Sequence, residues 1–443
     1  MADTPIVSSF VFQLQQFRYW FTAPSFDSFV TLVSGWVLVL RRHTVTRVVQ
    51  AAGAVGQKHI SSFHRFFSRA PWAGDGIGLT LLTLVMKHCP EGRPIILVVD
   101  DTLGRHTGKR IAAASMHRDP LLSCAGRPFW HWGHLWVVVS VAVPAFGKTW
   151  SLPVMVRLYR SKKRCAAESR EYRTCQQLAA EMLRLLAEVL ANHRIIIVGD
   201  AAYSNSSLIK NRPANVTLVG RARLDAAIYE PPPVRRPGEK GRPRVRGARL
   251  PSPQEQAAAD DAPWQRFEIE VYGKVATVQV LVIDALWYVA AGSELVRLVL
   301  VRGFPGHDHD DVFVATDPTM SAQQIIETFA LRWSLEVTFH FAKGKLGFED
   351  PQNRTELAVE RTAPMALWLY TLVVVWFLDH GRHLRAARVQ ALPWYPKGPP
   401  TFSDMLATLR RASWSEGLSD PQAKHCDPEK RLGSLLEYLD ACA

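Results

Sequence analysis

The stretch PIILVVDDT, residues 94–102, is a run of apolar side chains that ends in two aspartates and a threonine. A short, continuous apolar run rich in β-branched residues predicts a strand buried on both faces. RIIIVGD, residues 194–200, repeats the pattern and also ends on an aspartate. Open α/β sheets place their ligand-binding groups at the carboxyl ends of such strands. The two stretches therefore predict an α/β core that holds Asp101 and Asp200 at one edge.

The segments between these two strands indicate how the core is connected. HLWVVVSVAV (134–143) and WSLPVMVRLY (150–159) are typical of a strand pair, and 171–193 has the Leu and Ala spacing of a helix. Three strands, a helix and a further strand form the opening order of a ribonuclease-H-like α/β core. VFVATD (312–317) predicts a later, short buried strand.

A long helix is predicted over residues 321–346, directly after that last strand. Its residues Phe329, Arg332, Glu336 and Lys343 are spaced 0, 3, 7 and 14, which places them on one face at about 100° per residue. That face presents a carboxylate between two cations. Binding a phosphate backbone next to a metal site requires this combination. The alternative is a surface helix in which Arg332 and Glu336 form an ordinary ion pair.

Asp101, Asp200 and Glu336 are the candidate metal ligands. Carboxylates are hard oxygen ligands suited to Mg²⁺ or Mn²⁺, and three of them can hold two ions for phosphodiester transfer. Each acid taken alone is more often a helix cap or a surface residue.

The motifs together resemble the DDE transposases of bacterial insertion sequences. F-x2-R-x3-E-x6-K is similar to the Y-x2-R-x3-E-x6-K signature of that group, and the likeness extends to VVDDT (98–102), IVGDAAY (197–203) and VFVATDP. The resemblance implies that Asp101, Asp200 and Glu336 are the catalytic acids and that Arg332 and Lys343 hold DNA phosphates. Phe329 departs from the family's tyrosine. Asp100 and Asp101 point to opposite faces of a strand, and Asp101 is chosen because the family pairs Asp with Thr.

Composition and charge favour a nucleic-acid partner. Lys and Arg total 53 against 40 acidic residues, which gives a net charge of +13 and favours a polyanion. The six cysteines are scattered, with no CxxC pair, which indicates reduced thiols in a cytoplasm rather than disulfides or a thiolate zinc site. The N-terminus lacks a signal-peptide pattern, and the apolar stretch 363–378 is too short for a membrane span. We therefore expect a cytoplasmic, nucleoid-associated protein without a membrane segment.

Five regions are expected along the chain. These are a helical DNA-binding domain (1–90), the first part of the catalytic core (91–218), a basic loop with a β-rich insertion (219–309), the second part of the core (310–380) and a helical tail (381–443). The fold class is thus α/β: a ribonuclease-H-like mixed sheet interrupted by a β-rich insertion, with an all-helical N-terminal domain and a helical C-terminal region.

Two regions are expected to contact DNA. The pattern of residues 43–72 predicts a helix-turn-helix with its turn at Gly53–Gly56 and with Lys58 and Arg65 on the second helix. A plain helical hairpin is the alternative. Residues 231–250 are too rich in proline, glycine and arginine to pack a core. Their basic residues are expected to follow DNA phosphates: Arg235, Arg236, Lys240, Arg242, Arg244 and Arg246.

The function that the resemblance implies is DNA transposition. The protein would bind the inverted repeats of its element as a homodimer on double-stranded DNA, cut the ends with two Mg²⁺ ions (Mn²⁺ as substitute) and join the 3′-hydroxyls to target DNA. The alternatives are a co-opted, catalytically silent DNA-binding protein and a DNA nuclease of other purpose. The polar run 307–311 is interpreted as a solvated turn.

Overall fold

The computed structural model describes residues 5–119, 122–124, 126–235, 241–384, 394 and 398–419. Short 3-10 turns lie at Arg18–Trp20 and Gly381–His383. The helices are α1 (Ser8–Gln15), α2 (Ala23–Leu38), α3 (Val45–Ala51), α4 (Ile60–Ser68), α5 (Gly74–Met86), α6 (Lys162–Ala167), α7 (Cys175–Val189), α8 (Ser206–Ile209), α9 (Pro253–Ala257), α10 (Tyr288–Ala291), α11 (Ala322–Ala330), α12 (Trp333–Lys345), α13 (Glu356–Asp379) and α14 (Phe402–Ser419). The strands are β1 (Ile95–Arg105), β2 (Ser115–Arg118), β3 (Trp130–Ala145), β4 (Lys148–Tyr159), β5 (Ile195–Val198), β6 (Val216–Ala222), β7 (Gln265–Val271), β8 (Lys274–Leu286), β9 (Leu295–Arg302) and β10 (Asp311–Ala315).

These ten strands form one mixed sheet. Its order is β2-β3-β1-β5-β6-β10-β9-β8-β7, and β4 also pairs with β3. β3 runs antiparallel to both β1 and β4, whereas β5 runs parallel to β1 and to β6. The path β4-β3-β1-β5-β6 therefore has three antiparallel strands followed by two parallel ones. This arrangement fits the ribonuclease-H-like core expected from the sequence.

β1 continues well past its apolar run. β5 pairs with β1 only as far as Val98, but β3 goes on pairing through Asp100 and Asp101 to Arg105. The expectation that Asp101 ends its strand is therefore wrong, because the long strand β3 keeps supplying hydrogen bonds after β5 has stopped. The aspartates lie inside β1, at the point where its parallel neighbour ends.

The strands of the predicted insertion extend the core sheet. β7, β8 and β9 form an antiparallel ladder, and β9 pairs with β10, which in turn pairs with β6. Within the basic segment, residues 231–235 and 241–250 lie outside helices and strands, apart from a single bridge at Arg249. Arg236 and Lys240 lie outside the described residues.

The predicted single helix over 321–346 is two helices, so the one-helix interpretation is wrong. α11 ends at Ala330 and α12 begins at Trp333. At this junction the amides of Leu331 and Arg332 bond to carbonyls three residues earlier, which tightens the chain into a turn. Phe329 therefore lies on α11 and Glu336 on α12, so the face calculated for one continuous helix does not apply to this pair.

α13 is the central helix of the protein. It is 24 residues long, so the length argument against a membrane span fails; among the described residues it is the one helix long and apolar enough to cross a membrane, and 94% of its apolar window is buried in the protein. The N-terminal helices pack on it. Gln13 donates to the Leu372 carbonyl at 3.1 Å, and Arg361 donates to the Ala70 carbonyl at 2.9 Å. α13 is thus a core helix shared by the first helices and the sheet.

Candidate active site

Asp100 and Asp101 lie on opposite faces of β1. Asp100 Oδ2 accepts a hydrogen bond from Arg332 Nη1 at 2.8 Å, on the face covered by α11 and α12. Asp101 Oδ1 accepts one from the Tyr203 hydroxyl at 3.0 Å, on the other face. This opposition follows from the alternation of side chains along a strand. The structure therefore joins Asp100, and not Asp101, to the helix that carries Glu336.

Asp200 lies two residues past β5, beside both aspartates of β1. Its Oδ1 accepts hydrogen bonds from the amides of Ala202 at 2.9 Å and Tyr203 at 3.3 Å, which fixes the carboxylate at the start of a tight turn. Its charge raises the pKa of both Asp100 and Asp101. Asp200, just past the end of β5, therefore lies beside the aspartates of β1, although these lie inside their own strand.

Glu336 reaches this edge from the first turn of α12. A single Arg332 Nη1 atom lies 2.7 Å from Glu336 Oε1 and 2.8 Å from Asp100 Oδ2. α12 is fixed on β4, because the Ser334 and Ser151 hydroxyls are 2.7 Å apart and the Thr338 hydroxyl donates to the Ser151 carbonyl at 2.8 Å. The guanidinium of Arg332 thus bridges two acids from distant parts of the chain.

The acids of this site carry more negative charge than Arg332 balances. Burial raises the pKa of Asp100 to about 7; Arg332 opposes the rise, and the charges of Asp101 and Asp200 add to it. Burial also raises the pKa of Asp101 to about 6, against the hydrogen bond from Tyr203. Crowded carboxylates are relieved by a cation, and an all-oxygen donor set suits a hard divalent ion. The residues present therefore fit a divalent metal site.

Lys343 lies away from the acids. Its ammonium donates to the Leu103 carbonyl of β1 at 2.8 Å and lies 4.0 Å from a Glu349 carboxylate oxygen. Burial lowers the pKa of this lysine. Phe329 is buried, and its ring lies 4.5 Å from that of Phe313, so it packs the core where the family has tyrosine. Phe329 belongs to α11, whereas Lys343 follows Glu336 by seven residues on α12 and therefore leaves that helix on the same face.

The basic segment contains arginines in two different situations. The Arg246 guanidinium lies over the rings of Tyr229 and Tyr288, at 4.2 and 5.0 Å from their centroids, and Arg235 donates to the Gly241 carbonyl at 3.1 Å. Arg242 and Arg244 are exposed. Arg246 is exposed as well, but its guanidinium is stacked on two tyrosine rings, so Arg242 and Arg244 are better placed for a phosphate.

The predicted helix-turn-helix corresponds to α3 and α4. Thr44 caps α3 by accepting from the Arg47 amide. α4 buries Phe63, Phe66 and Phe67 and exposes Arg65 on its opposite side. The expectation that Lys58 lies on the second helix is wrong, because α4 begins at Ile60; Lys58 lies in the turn before it and donates to the Pro24 carbonyl at 3.3 Å.

Sequence reasoning missed two residues near the acids. Tyr203 is fully buried and donates to Asp101, and its place three residues after Asp200 in IVGDAAY was the available signal. Arg221 lies in the apolar strand β6, interacts electrostatically with Asp200 and bonds Asp311. A single arginine in a buried strand needs a buried acidic partner, and that requirement was the signal.

Acidic side chains where two parallel strands meet, with a further acid on an adjacent helix, define the ribonuclease-H-like enzymes that act on nucleic-acid backbones. A family model described as DDE superfamily endonuclease matches residues 17–280, more than half of the chain. The chain belongs to this family, which confirms the resemblance drawn from its motifs; Arg332 and Glu336 lie beyond the matched residues. Members of the superfamily generally use divalent metal ions.

The chain is also similar to a curated bacterial protein named as a probable transposase for insertion sequence element IS701, from Microchaete diplosiphon. The identity is 23% over 182 residues, which is 41% of this chain and 44% of that protein. The chain thus spans less than half the length of this relative.

Proposed function

We propose that this protein is a DNA transposase that binds the inverted repeats of an insertion sequence, cuts the ends and joins the 3′-hydroxyls to target DNA. The observation that carries the proposal is the Arg332 guanidinium, which lies within 2.8 Å of both Asp100 and Glu336. A cation between two acids at the end of parallel strands fits a site for a phosphate beside metal ions.

Asp200, Glu336 and one aspartate of β1 are the proposed ligands of two Mg²⁺ ions, with Mn²⁺ as substitute. The geometry favours Asp100, because it shares Arg332 with Glu336, whereas the carboxylate of Asp101 faces Tyr203. Asp101 stays the choice made from the sequence motif. When bound, such ions activate a water or a 3′-hydroxyl and stabilise the leaving oxygen.

Arg332 is the residue proposed to hold the phosphate at the cut. Its side chain is 21% exposed, and its guanidinium presents five N–H donors, of which those on Nη1 serve the two carboxylates. The remaining donors match the fork geometry that phosphate oxygens accept. Lys343 is proposed to support β1 beside the site, since its ammonium bonds the Leu103 carbonyl.

DNA outside the site is proposed to contact α4 and the basic segment. Arg65, Arg242 and Arg244 are exposed, and Lys58 lies next to α4. Such phosphate contacts make binding steeply dependent on salt. Joining two ends at once calls for a homodimer on DNA, and the site of action proposed is the cytoplasm.

The test is cleavage of a supercoiled plasmid that carries the element's own ends, with wild type beside Glu336→Gln. We expect Mg²⁺-dependent nicking and joining by the wild type alone. Equal, tight binding of the ends by both proteins, with no cleavage by either, would replace the transposase with a DNA-binding protein. Cleavage without joining would favour a nuclease of other purpose.

A further inference from the structure

The loop between β9 and β10 holds a second cluster of metal-ligand types. His307 Nδ1 lies 2.5 Å from Asp311 Oδ2, and His309 Nε2 lies 3.8 Å from Asp311 Oδ1. One ligand atom from each residue falls within 4.8 Å of the others. Residues 307–310 form the partly exposed turn expected from the sequence, whereas Asp311 begins β10 and its side chain is completely buried.

We propose that His307, His309 and Asp311 form a site for a Zn²⁺-like transition-metal ion, separate from the acids at the end of β1. Two imidazoles and one carboxylate are a recurring three-ligand set for zinc, which leaves a fourth position open. A tetrahedral ion about 2.1 Å from each ligand separates them by roughly 3.4 Å. The 2.5 Å between His307 and Asp311 would therefore open by about 1 Å, and His309 would turn toward Asp311 Oδ2.

His309 is free to make that movement. Its side chain is 61% exposed, whereas His307 is 28% exposed and packs its ring 5.2 Å from that of Phe304. The two imidazoles are stacked, with ring planes 11° apart. An ion would therefore need a small opening of the His307–Asp311 pair together with a rotation of the exposed His309.

Arg221 supports the carboxylate from the other side. Its guanidinium bonds Asp311 Oδ1 and also lies 3.1 Å from His309 Nε2. Asp311 Oδ2, the oxygen against His307, remains for an ion, so Arg221 can keep Oδ1 while His309 turns away from it. A metal-bound carboxylate is normally hydrogen-bonded through its second oxygen, and Arg221 fills that role.

The site adjoins the proposed catalytic centre. Arg221 interacts electrostatically with Asp200 and Arg332, and His307 interacts with Arg332. An ion bound there would lie next to Arg221. Its fourth coordination position would face solvent, beside the exposed His309. Ligand chemistry separates the two sites: imidazole nitrogen suits Zn²⁺, Co²⁺ or Ni²⁺, whereas the all-carboxylate site suits Mg²⁺.

The experiment measures Co²⁺ binding to the full chain in excess Mg²⁺, by visible absorption and by displacement with Zn²⁺. We expect one Co²⁺ per chain with the spectrum of a four-coordinate nitrogen and oxygen site. His309→Ala should weaken this binding at least about 10-fold. Asp308→Ala, an exposed acid of the same loop, and Asp200→Asn should bind as wild type.

Three results would overturn the site. They are wild-type binding by His309→Ala, loss of binding with Asp200→Asn, and a thiolate charge-transfer band that assigns the ion to cysteine. His309 is exposed, so its alanine variant tests the ligand without disturbing the buried Arg221–Asp311 pair. The outcome is independent of DNA cleavage, and failure of either proposal leaves the other standing.

Discussion

Exchanging the two adjacent aspartates of β1 for asparagine, one at a time, tests the geometry of the site directly. Asp100→Asn removes the carboxylate that shares Arg332 with Glu336, while Asp101→Asn keeps an oxygen that accepts from Tyr203. The first change removes a charge-assisted hydrogen bond, worth about 1.5–3 kcal/mol, together with a metal ligand. Metal stabilisation of the transition state is several kcal/mol.

At 1.36 kcal/mol for each factor of ten, the loss for Asp100→Asn is at least roughly 10³-fold in the rate of plasmid cleavage. For Asp101→Asn we expect a loss of about 10-fold or less, since a neutral acceptor still serves the Tyr203 hydroxyl. Single-turnover cleavage, with binding of the ends measured in parallel by anisotropy, separates chemistry from affinity. An inactive Asp101→Asn beside an active Asp100→Asn would refute the assignment and restore the choice based on the motif.

Four further outcomes follow from the same contacts. Arg332→Lys keeps the positive charge but loses the planar, forked N–H donors of the guanidinium. The rate of single-turnover cleavage should therefore fall by roughly 10- to 100-fold, with the circular dichroism spectrum unchanged. Tyr203→Phe leaves a buried Asp101 oxygen without its donor and should lower the free energy of unfolding by about 1–2 kcal/mol in urea titrations, whereas a Tyr203→Phe protein as stable as wild type would count against that bond. Because the folded pKa of Asp100 is raised to about 7, folding favours its protonated form; this group therefore destabilises the metal-free protein as pH rises from about 4 through 7, and melting temperatures at pH 6 and 8 should differ less in Asp100→Asn. Changing Arg242 and Arg244 together to alanine should reduce the slope of log affinity against log salt by up to about 2, and an unchanged slope would remove this segment from the DNA contacts.

The buried strands were predictable because their signal is local. The apolar runs at 94–99 and 195–198 have no polar position at which to face water, so a strand covered on both faces suits them. The length of β1 could not be predicted locally. Its last residues are hydrogen-bonded to β3, which lies about 35 positions later in the chain. The sequence of a strand contains no local signal for an extension that depends on a partner distant in the chain.

The candidate site was predictable in composition but not in orientation. Alternation along a strand already separates Asp100 from Asp101, yet only the packing of α12 on β4 shows which face holds Glu336. The break between α11 and α12 could not be predicted from the sequence. Leu331 and Arg332 both keep helical backbone angles, but their amides bond to the carbonyl three residues earlier instead of four. Apolar periodicity continues through such a turn without interruption.

The sharing of α13 between the first helices and the sheet bears on where a DNA end would be cut. α4 and α5 pack on the same helix as β4, and Arg361 links α13 to the Ala70 carbonyl just past α4. A duplex bound by α4 would therefore reach the acidic site at a fixed distance from its bound sequence. Moving the bound sequence by one base pair would carry the phosphate about 3.4 Å along the strand, which is longer than either contact that Arg332 makes with its two carboxylates, 2.7 and 2.8 Å. The spacing between recognised sequence and cut, rather than the sequence at the cut, would then fix the boundary of the element.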